Sequence, residues 1–306
     1  MRVYYNQSRE KSVVMTLGTF DGVHLGHQKI IKLAVKRARD LNCDSALFTF
    51  RPHPLQVIAS KNAPQLLTTW QQTRRLIQSL GINRIILKKF TKEFAQISAR
   101  RFVEDYLVNR FRVKEIIVGE DFRCGYQGEG TPDRLAKLGK EFGFEVRVIP
   151  AVKINTQEAG STSIRSLIKE GKIKKASEQL GRNFIIDCKV ISGDKRGREL
   201  GFPTANLRPV INYVLPSAGV YVCRAIIEDK VYNGVVNLGL RPTFNKEDFS
   251  IEVHIFDFMR EIYGTRLQLE FIEKIRVEEK FVSSQQLIAR IKKDIKIAQE
   301  VFDLME

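Results

Sequence analysis

Two histidines and three glycines share a short polar stretch near the start of the chain, where residues 18–27 read GTFDGVHLGH. The apolar run Val13–Leu17 before it predicts a buried strand, and apolar residues three or four positions apart after it predict a helix over 28–41. Where a strand turns into a helix, free backbone N–H groups and the positive end of the helix dipole face outward. Because His24 and His27 are three positions apart, both can face one bound group. The pattern therefore predicts a polyphosphate site at this turn.

The glycines of this stretch, Gly18, Gly22 and Gly26, let the backbone come close to a ligand. The stretch is not a P-loop, because no Gly-Lys-Ser/Thr follows it, and it is not the usual dinucleotide fingerprint. The alternative interpretation is a tight turn in which the histidines only cap the helix or pack.

Two further loops follow predicted strands in the first half. Residues 119–125, GEDFRCG, come directly after the apolar run Ile116–Val118, and residues 49–54, TFRPHP, end the run Ala46–Phe50. Ligands in α/β folds bind at the carboxyl ends of strands, and two prolines stiffen the second loop. Each segment could equally be an ordinary surface loop.

The segment Ser161–Arg165, STSIR, combines hydroxyls with an arginine one turn further on. A hydroxyl at a helix start caps the helix and can also bind phosphate, and a guanidinium offers two donors to phosphate oxygens. Taken alone, a plain helix cap with a surface arginine explains this segment as well.

A longer basic segment in the second half, residues 193–206, reads GDKRGRELGFPTAN. Its glycines and cationic side chains can cradle phosphates. Thr204 and Asn206 alternate, so in an extended chain their oxygens point the same way and suit Mg²⁺ bound with a nucleotide. The alternative is a basic loop that leads into a strand.

A single carboxylate, Glu252, begins the polar face of the predicted strand 251–256. Alternation places Glu252 and His254 on the face opposite Val253 and Ile255. A carboxylate on a barrel strand can orient and deprotonate an alcohol, although a solvent-facing edge residue is the alternative.

The elements that position these residues fall into two groups. Up to about residue 180, strands and helices alternate, which predicts an α/β domain with a Rossmann-like parallel sheet covered by helices on both faces. After residue 184, closely spaced strands with short turns predict an antiparallel barrel or sandwich, and a capped helix closes the chain. We therefore predict two domains, residues 1–183 and 184–306.

Composition narrows the environment of the protein. The chain has 306 residues, a net charge of +16 and four widely spaced cysteines without a CxxC pair, which favours a reducing cytoplasm. No apolar run is long enough for a membrane span, and the first residues lack a signal-peptide core, so we expect no membrane partner. The charge attracts polyanions, but the basic residues are spread along the chain, so we do not expect nucleic acid to be a main partner.

Taken together, these motifs resemble those of the bacterial bifunctional riboflavin kinase/FMN adenylyltransferase family, also called FAD synthetases. The segments that resemble its adenylyltransferase part are GTFDGVHLGH, PHP, GEDFRCG and STSIR. Those that resemble its kinase part are GRELGFPTANL, NLGLRPTF at 237–244 and EVHIFDF with YG at 252–264. One departure is Cys124, where the family pattern usually has an aromatic residue near the isoalloxazine site.

For the first domain, the resemblance implies adenylylation of FMN to FAD with release of pyrophosphate from ATP. His24, His27, Ser163 and Arg165 would hold the triphosphate, with His24, His27 and Arg165 as catalytic residues. The further implied contacts are Gly18, Phe20 and Gly26 to ATP, and Pro52, Pro54 and Asp121 to the flavin.

For the second domain, the resemblance implies transfer of the γ-phosphoryl group of ATP to riboflavin, giving FMN. Glu252 would be the general base, and Thr204 and Asn206 would hold Mg²⁺ with ATP. The implied ATP contacts are Gly193, Lys195, Arg198, Gly201 and Pro203. The sequence leaves the oligomeric state open.

Two other functions use parts of the same pattern. A class I tRNA-synthetase-like enzyme shares the histidine turn, but the chain has no KMSKS-type lysine loop. A non-catalytic flavin- or RNA-binding regulator could use the same scaffold, although the presence of Glu252, Thr204 and Asn206 favours catalysis.

Overall fold

The computed structural model describes residues 2–4, 11–193, 197, 200–243 and 246–305. The chain divides into two compact units. The first contains Met1–Gln65 and Trp70–Gly160, and the second contains Leu66–Thr69 and Ser161–Glu306.

The first unit is built on a six-stranded sheet with the order β1-β4-β3-β2-β5-β6, and every neighbouring pair is parallel. Its central strands are apolar because helices cover both faces, and all five residues of β2 are buried. The strands are β1 Arg2–Tyr4, β2 Val13–Leu17, β3 Asp44–Arg51, β4 Arg84–Lys89, β5 Val113–Gly119 and β6 Glu145–Ile149, with a small β7 Lys153–Ile154 and β8 Gln157–Glu158 ribbon.

Helices lie on both faces of this sheet. Leu47 and Phe48, neighbours on β3, point to opposite faces and belong to separate apolar clusters. The cluster around Leu47 contains side chains of α1 and α3. The cluster around Phe48 contains side chains of α4, α6 and the π-helical turn between α4 and α5. The helices are α1 Leu25–Asp40, α2 Pro54–Ile58, α3 Trp70–Ser79, α4 Ala99–Phe102, the π-helix Val103–Val108, α5 Asn109–Phe111 and α6 Pro132–Phe142.

Local capping chemistry sets several helix ends in the first unit. The Arg101 backbone N–H donates to Ser98 Oγ at 3.2 Å, which begins α4. At α6, Pro132 occupies the first turn after the Thr131 cap, and Gly143 ends the helix in the left-handed region with φ of 80°. Each cap satisfies backbone groups that have no partner inside the helix.

The second unit is a closed antiparallel barrel of six strands, in the order β10-β13-β12-β11-β14-β9. Glu228 and Asp229 join β11 to β12 with φ of 51° and 64°, as a tight hairpin requires. Its elements are α7 Ser161–Lys169, α8 Ile173–Leu180, β9 Phe184–Ile191, β10 Ala205–Pro209, β11 Gly219–Ile227, β12 Lys230–Thr243, β13 Lys246–Ile255, β14 Arg266–Arg276 and α9 Ser284–Asp303. The predicted fold class is therefore confirmed, as a barrel rather than a sandwich.

A short segment of the earlier chain completes the barrel unit. The Leu66 backbone N–H donates to the carbonyl oxygen of Asn212 at 2.9 Å, and the Val214 N–H donates to the Leu66 carbonyl at 3.0 Å. The next residue, Leu67, is 1% exposed within the barrel core. The Thr69 hydroxyl donates to Asp187 Oδ2 on β9 at 3.0 Å. We call Leu66–Thr69 the strap.

Helices α7 and α8 also bury their apolar residues in the barrel core. The buried residues are Ile164, Leu167, Ile168, Ile173, Ala176 and Leu180. The compact unit thus begins at Ser161, whereas the boundary predicted from the sequence falls between 183 and 184. The assignment of an activity to each side of that boundary remains a prediction.

We predict that a fragment of residues 161–306 unfolds at a higher temperature than a fragment of 184–306. The shorter fragment exposes core that α7 and α8 cover, and each buried Leu or Ile contributes about 1.5–3 kcal/mol. Thermal and urea unfolding followed by circular dichroism measure the difference. Equal unfolding midpoints would show that the two helices add nothing to the barrel's stability.

Candidate active sites

The turn between β2 and α1 is shaped by residues in the left-handed region of backbone space. Phe20, Gly22 and Val23 have φ of 53°, 81° and 42°, and the Val23 N–H donates to the Phe20 carbonyl at 3.2 Å. Helix α1 then begins at Leu25, three residues before the sequence predicted, so His24 becomes its N-cap residue. The helix starts early because the Gln28 N–H already donates to the His24 carbonyl at 2.9 Å.

The structure brings the two histidines together. Their rings stack with centroids 3.7 Å apart and planes inclined by 27°. Phe20 is 1% exposed, and its ring lies 5.1 Å from that of His27, so it supports the pair from the core side. Gly26 leaves room for this stack, because a Cβ at this position would come 3.1 Å from His24 Nδ1, a tight contact. Both imidazoles therefore sit at the amino end of α1.

Burial controls the charge of this pair. Desolvation, and secondarily the neighbouring His24, hold the pKa of His27 well below its usual range, so the ring is neutral at pH 7. Within the described part of the chain, the His27 Nδ1 atom is buried and has no hydrogen-bond partner. A neutral imidazole beside a helix amino terminus can donate to an anion, and a nearby polyphosphate would favour its protonated form.

Two other predicted loops reach the same edge of the sheet, because β3 and β5 flank β2. Asp121 is exposed in the turn after β5, where a Cβ on Gly119 would come 2.8 Å from Asp121 Oδ1. After β3, Pro52 follows a cis peptide bond and Pro54 begins α2, with the Leu55 N–H donating to His53 Nδ1 at 3.2 Å. Both loops therefore follow the carboxyl ends of strands that neighbour β2, which is where ligands bind in α/β folds.

The loop that follows Asp121 turns the Cys124 thiol toward backbone. Its Sγ donates to the Gly130 carbonyl at 3.6 Å, and the two residues form an isolated β-bridge. Burial raises the pKa of Cys124 to about 12, with Glu129 adding to the effect. The thiol is therefore protonated at neutral pH, which removes it from nucleophilic chemistry.

The sequence analysis did not predict an aromatic surface that lies at the same edge of the sheet. Phe50 is the penultimate residue of β3, and its ring lies 5.4 Å from that of Phe90 and 5.7 Å from that of Phe94. Tyr106 packs edge-on to Phe94 at 5.3 Å, and Lys88 Nζ lies 4.8 Å from the Tyr106 ring. Phe50, Phe90, Phe94 and Tyr106 are only partly buried, so they can stack against a planar ligand.

The STSIR residues belong to the second unit. Ser163 and Arg165 lie on the first two turns of α7, and Arg165 is partly buried. The Gln179 amide on α8 donates to Ser163 Oγ at 3.1 Å, and Gln179 is 2% exposed. Sequence reasoning missed Gln179, because only the packing of α8 against α7 gives it this partner.

In the barrel, the ladder aligns three polar residues on neighbouring strands. Glu252 on β13 is the register partner of Asn206 on β10 and of Asn237 on β12. Register partners in an antiparallel pair have Cβ atoms about 4.5–5.5 Å apart on the same face. Burial of Ile251 and Val253 on either side confirms that Glu252 lies on the face opposite the barrel core. Asn237 was not among the predicted site residues.

The glycine loop packs directly against the predicted metal ligands. A Cβ on Gly193 would overlap the Asn206 amide, and a Cβ on Gly197 would come 2.9 Å from Thr204 Oγ1. Gly201, at φ of 84°, turns the chain into β10. The predicted contacts Lys195 and Arg198 lie outside the described residues.

A cleft opens beside Thr204. Its walls are mainly apolar, and Pro203 is fixed at one side because His254 Nδ1–H donates to the Pro203 carbonyl at 2.9 Å. The lining residues are Val190, Pro203, Thr204, Ala205, Val253, Ile255, Phe258, Arg260, Glu261, Ile262 and Tyr263. Apolar walls of this kind can contact a planar ring, and the Thr204 hydroxyl is a polar group in the same lining.

The donor set near Thr204 is suited to a hard cation. The residues that the structure describes contain no cluster of three or more His, Cys, Asp or Glu side chains that could hold a metal. Mg²⁺ commonly needs only one or two protein oxygens when nucleotide phosphates complete its shell. Thr204 and Asn206 offer oxygen donors of the kind that suits Mg²⁺ delivered with a nucleotide.

Two family models match this chain, one over each part. The family model described as FAD synthetase matches residues 6–163, and the one described as riboflavin kinase matches residues 180–302. A Haemophilus influenzae protein named bifunctional riboflavin kinase/FMN adenylyltransferase is 36% identical over 305 residues, covering 99% of each chain.

The chain belongs to the bifunctional riboflavin kinase/FMN adenylyltransferase family.

Other relatives support this membership. A Bacillus subtilis bifunctional riboflavin kinase/FMN adenylyltransferase is 38% identical, covering 92% of this chain and 90% of its own. A crystal structure of a Streptococcus pneumoniae protein described as a macrolide-efflux protein superposes with a TM-score of 0.88 at 30% identity, covering 97% of this chain and 98% of its own. In the part of this chain that the structure describes, no helix is long and apolar enough to cross a membrane. The predicted family, a bifunctional transferase of flavin synthesis, is confirmed.

Family membership does not by itself assign the residues, and the His27 environment offers a test. The pKa of His27 is lower in the folded chain than in the unfolded one, so the unfolded state binds more protons as the pH falls below about 6.5. The free energy of unfolding should therefore fall as the pH is lowered from 7 to 5.5. The fall should be smaller in the His27→Gln variant, which lacks this titrating group. Urea unfolding of both proteins at both pH values measures these free energies. An identical change with pH in the two proteins would contradict the burial of a neutral His27.

The packing of Gly193 on Asn206 gives a second test. Gly193→Ala must displace the Asn206 amide, and a misplacement of about 1 Å can lower kinase turnover by roughly 10²-fold. The matched control is Gly160→Ala, because a Cβ at Gly160 meets nothing within 4 Å. Riboflavin phosphorylation by the two variants measures the effect. Equal activities would show that Asn206 can move without consequence.

Proposed function

We propose that the barrel unit phosphorylates riboflavin at the row of Asn206, Glu252 and Asn237, and that the β2–α1 turn serves FMN adenylylation. The observation that carries the kinase assignment is the register pairing of Glu252 with Asn206, whose amide packs so closely on Gly193 that a Cβ there would overlap it. This arrangement places a potential base beside a potential metal ligand. Both family models match the corresponding parts of the chain.

In the kinase step, Glu252 takes the proton from the ribityl 5′-hydroxyl of riboflavin. The hydroxyl oxygen then forms a bond to the γ-phosphorus of ATP while the bond to the β,γ-bridging oxygen breaks, giving FMN and ADP. Thr204 and Asn206 hold Mg²⁺, which neutralises phosphate charge when it is bound. Positioning and charge neutralisation supply most of the catalysis in such reactions. The cleft beside Thr204 takes the ring of one of the two substrates.

In the adenylylation step, an FMN phosphate oxygen attacks the α-phosphorus of ATP and pyrophosphate leaves. No covalent enzyme intermediate is needed, because the FMN phosphate is the nucleophile. The stacked His24 and His27 donate to phosphate oxygens at the amino end of α1, where the dipole also favours negative charge. Ser163 and Arg165 are proposed triphosphate contacts on family resemblance alone.

The flavin of this step belongs near the carboxyl edge of β3, β4 and β5. Asp121, Pro52 and Pro54 are the residues that resemblance assigns to it, and the partly exposed rings of Phe50 and Phe90 offer a stacking surface at the same edge. The proposed substrates are therefore riboflavin, FMN and ATP, with Mg²⁺ as the metal. We propose the cytoplasm as the location, on the wide spacing of the four cysteines.

A reciprocal pair of variants tests the separation of the two sites. Glu252→Gln keeps the size of the side chain but removes the base, so FMN formation should fall by about 10² to 10⁴-fold while adenylylation of supplied FMN continues. His27→Ala removes one donor to the developing charge, so FAD formation should fall by about 10²-fold while FMN formation is kept. Chromatography of products from riboflavin or FMN with Mg-ATP measures both. Equal loss of both steps in either variant would indicate one shared site.

A further inference from the structure

The face of the first unit that carries α1 and α3 concentrates positive charge. Six cationic side chains on these two helices are exposed, namely Lys29, Lys32, Lys36, Arg39, Arg74 and Arg75. Helix α3 has no acidic residue, and the only acid on α1 is Asp40 at its end, which pairs with Arg37 at 3.6 Å. The proposed chemistry uses none of these six cations.

The two helices present these cations side by side. Ile31 and Val35 of α1 and Ile77 of α3 bury in one apolar cluster against Leu47 and Ile85 of the sheet. Helices that share a layer on a sheet face pack about 8–10 Å apart. Both helices therefore lie in the same layer on this side of the sheet, and we call their combined exposed surface the α1/α3 face.

The cations of α1 are spaced along a single stripe. Lys29, Lys32, Lys36 and Arg39 follow one another at intervals of three, four and three residues, which keeps them on one side of the helix. With a rise of about 1.5 Å per residue, successive charges are about 4.5–6 Å apart along the axis. RNA carries one phosphate per nucleotide, so a strand laid along α1 can meet several of these cations.

We propose that the α1/α3 face binds the phosphate backbone of RNA. Charge complementarity carries this assignment, since the face is rich in Lys and Arg and poor in acids. A membrane surface is disfavoured, because interfacial helices bury large apolar side chains and neither helix exposes one among its described residues. The linear sequence concealed this face, because its cations are separated by the buried residues of α1 and by the whole segment that joins α1 to α3.

Anisotropy of a labelled 20-nucleotide polyuridine with the full-length protein, between 50 and 200 mM KCl, tests the proposal. The variant Lys29→Gln/Lys32→Gln/Lys36→Gln should bind at least tenfold more weakly. The plot of log affinity against log salt concentration should be less steep by about 2, because each lost phosphate contact removes about 0.7 from the slope. Arg74→Gln/Arg75→Gln should also weaken binding and lower the slope.

The matched control is Lys292→Gln/Lys293→Gln/Lys296→Gln, which removes three exposed lysines from one helix of the barrel unit. It should change affinity less than twofold, and all variants should keep FAD synthesis. Equal weakening by both triple variants would reduce the effect to net charge and overturn the proposal. Absence of binding at 50 mM KCl would overturn it as well. The proposal would also be overturned if the protein bound vesicles containing phosphatidylglycerol more tightly than RNA and the α1 triple variant abolished the binding to vesicles.

Discussion

The register of β13 between its two neighbours governs the chemistry of the barrel. Ile251, Val253 and Ile255 bury in the barrel core, and their alternation fixes Glu252 on the opposite face. A slip of one residue would exchange the two faces, placing a carboxylate in the core and an aliphatic side chain beside Asn206. The cost of such a slip is the loss of core burial, so hydrophobic packing on one face holds the polar row on the other.

The first unit positions its histidines by anchoring both ends of α1. At the amino end, the left-handed residues of the β2–α1 turn and the support of Phe20 fix His24 and His27. Toward the carboxyl end, Arg37 Nε donates to the buried carboxylate of Glu115 on β5 at 2.8 Å, and Arg147 Nε on β6 donates to it at 2.9 Å. A buried charge with two guanidinium partners resists displacement, because moving either partner leaves it unpaired. Helix α1 therefore presents its amino end at a fixed position on the sheet.

Sequence reasoning predicted most of what depends on local pattern. Hydrophobic periodicity predicted the alternation of strands and helices in the first half and the run of strands in the second, and strand alternation placed Glu252 on the face opposite the core. It led the basic loop into a strand after residue 204 but gave no bounds for β10, because a five-residue strand ending in proline carries little periodic signal. It also missed the partners that only tertiary packing creates: Asn237 beside Glu252, and Gln179 beside Ser163. The strap was not predicted for the same reason, since its four residues lie in sequence between two segments of the first unit.

The strap also bears on the order in which the protein is made. Residues 66–69 leave the ribosome long before Asn212 and Val214, whose backbone groups they pair with, and before Asp187, which receives the Thr69 hydroxyl. Leu67 must therefore stay out of non-native contacts while the whole of α7, α8 and the first barrel strands are synthesised. The barrel unit is a structure of high sequence separation, which slows closure of its core relative to a contiguous domain of the same size. During translation the strands of the first sheet are all made before the barrel, whereas the barrel unit is complete only when later chain pairs with a segment already extruded.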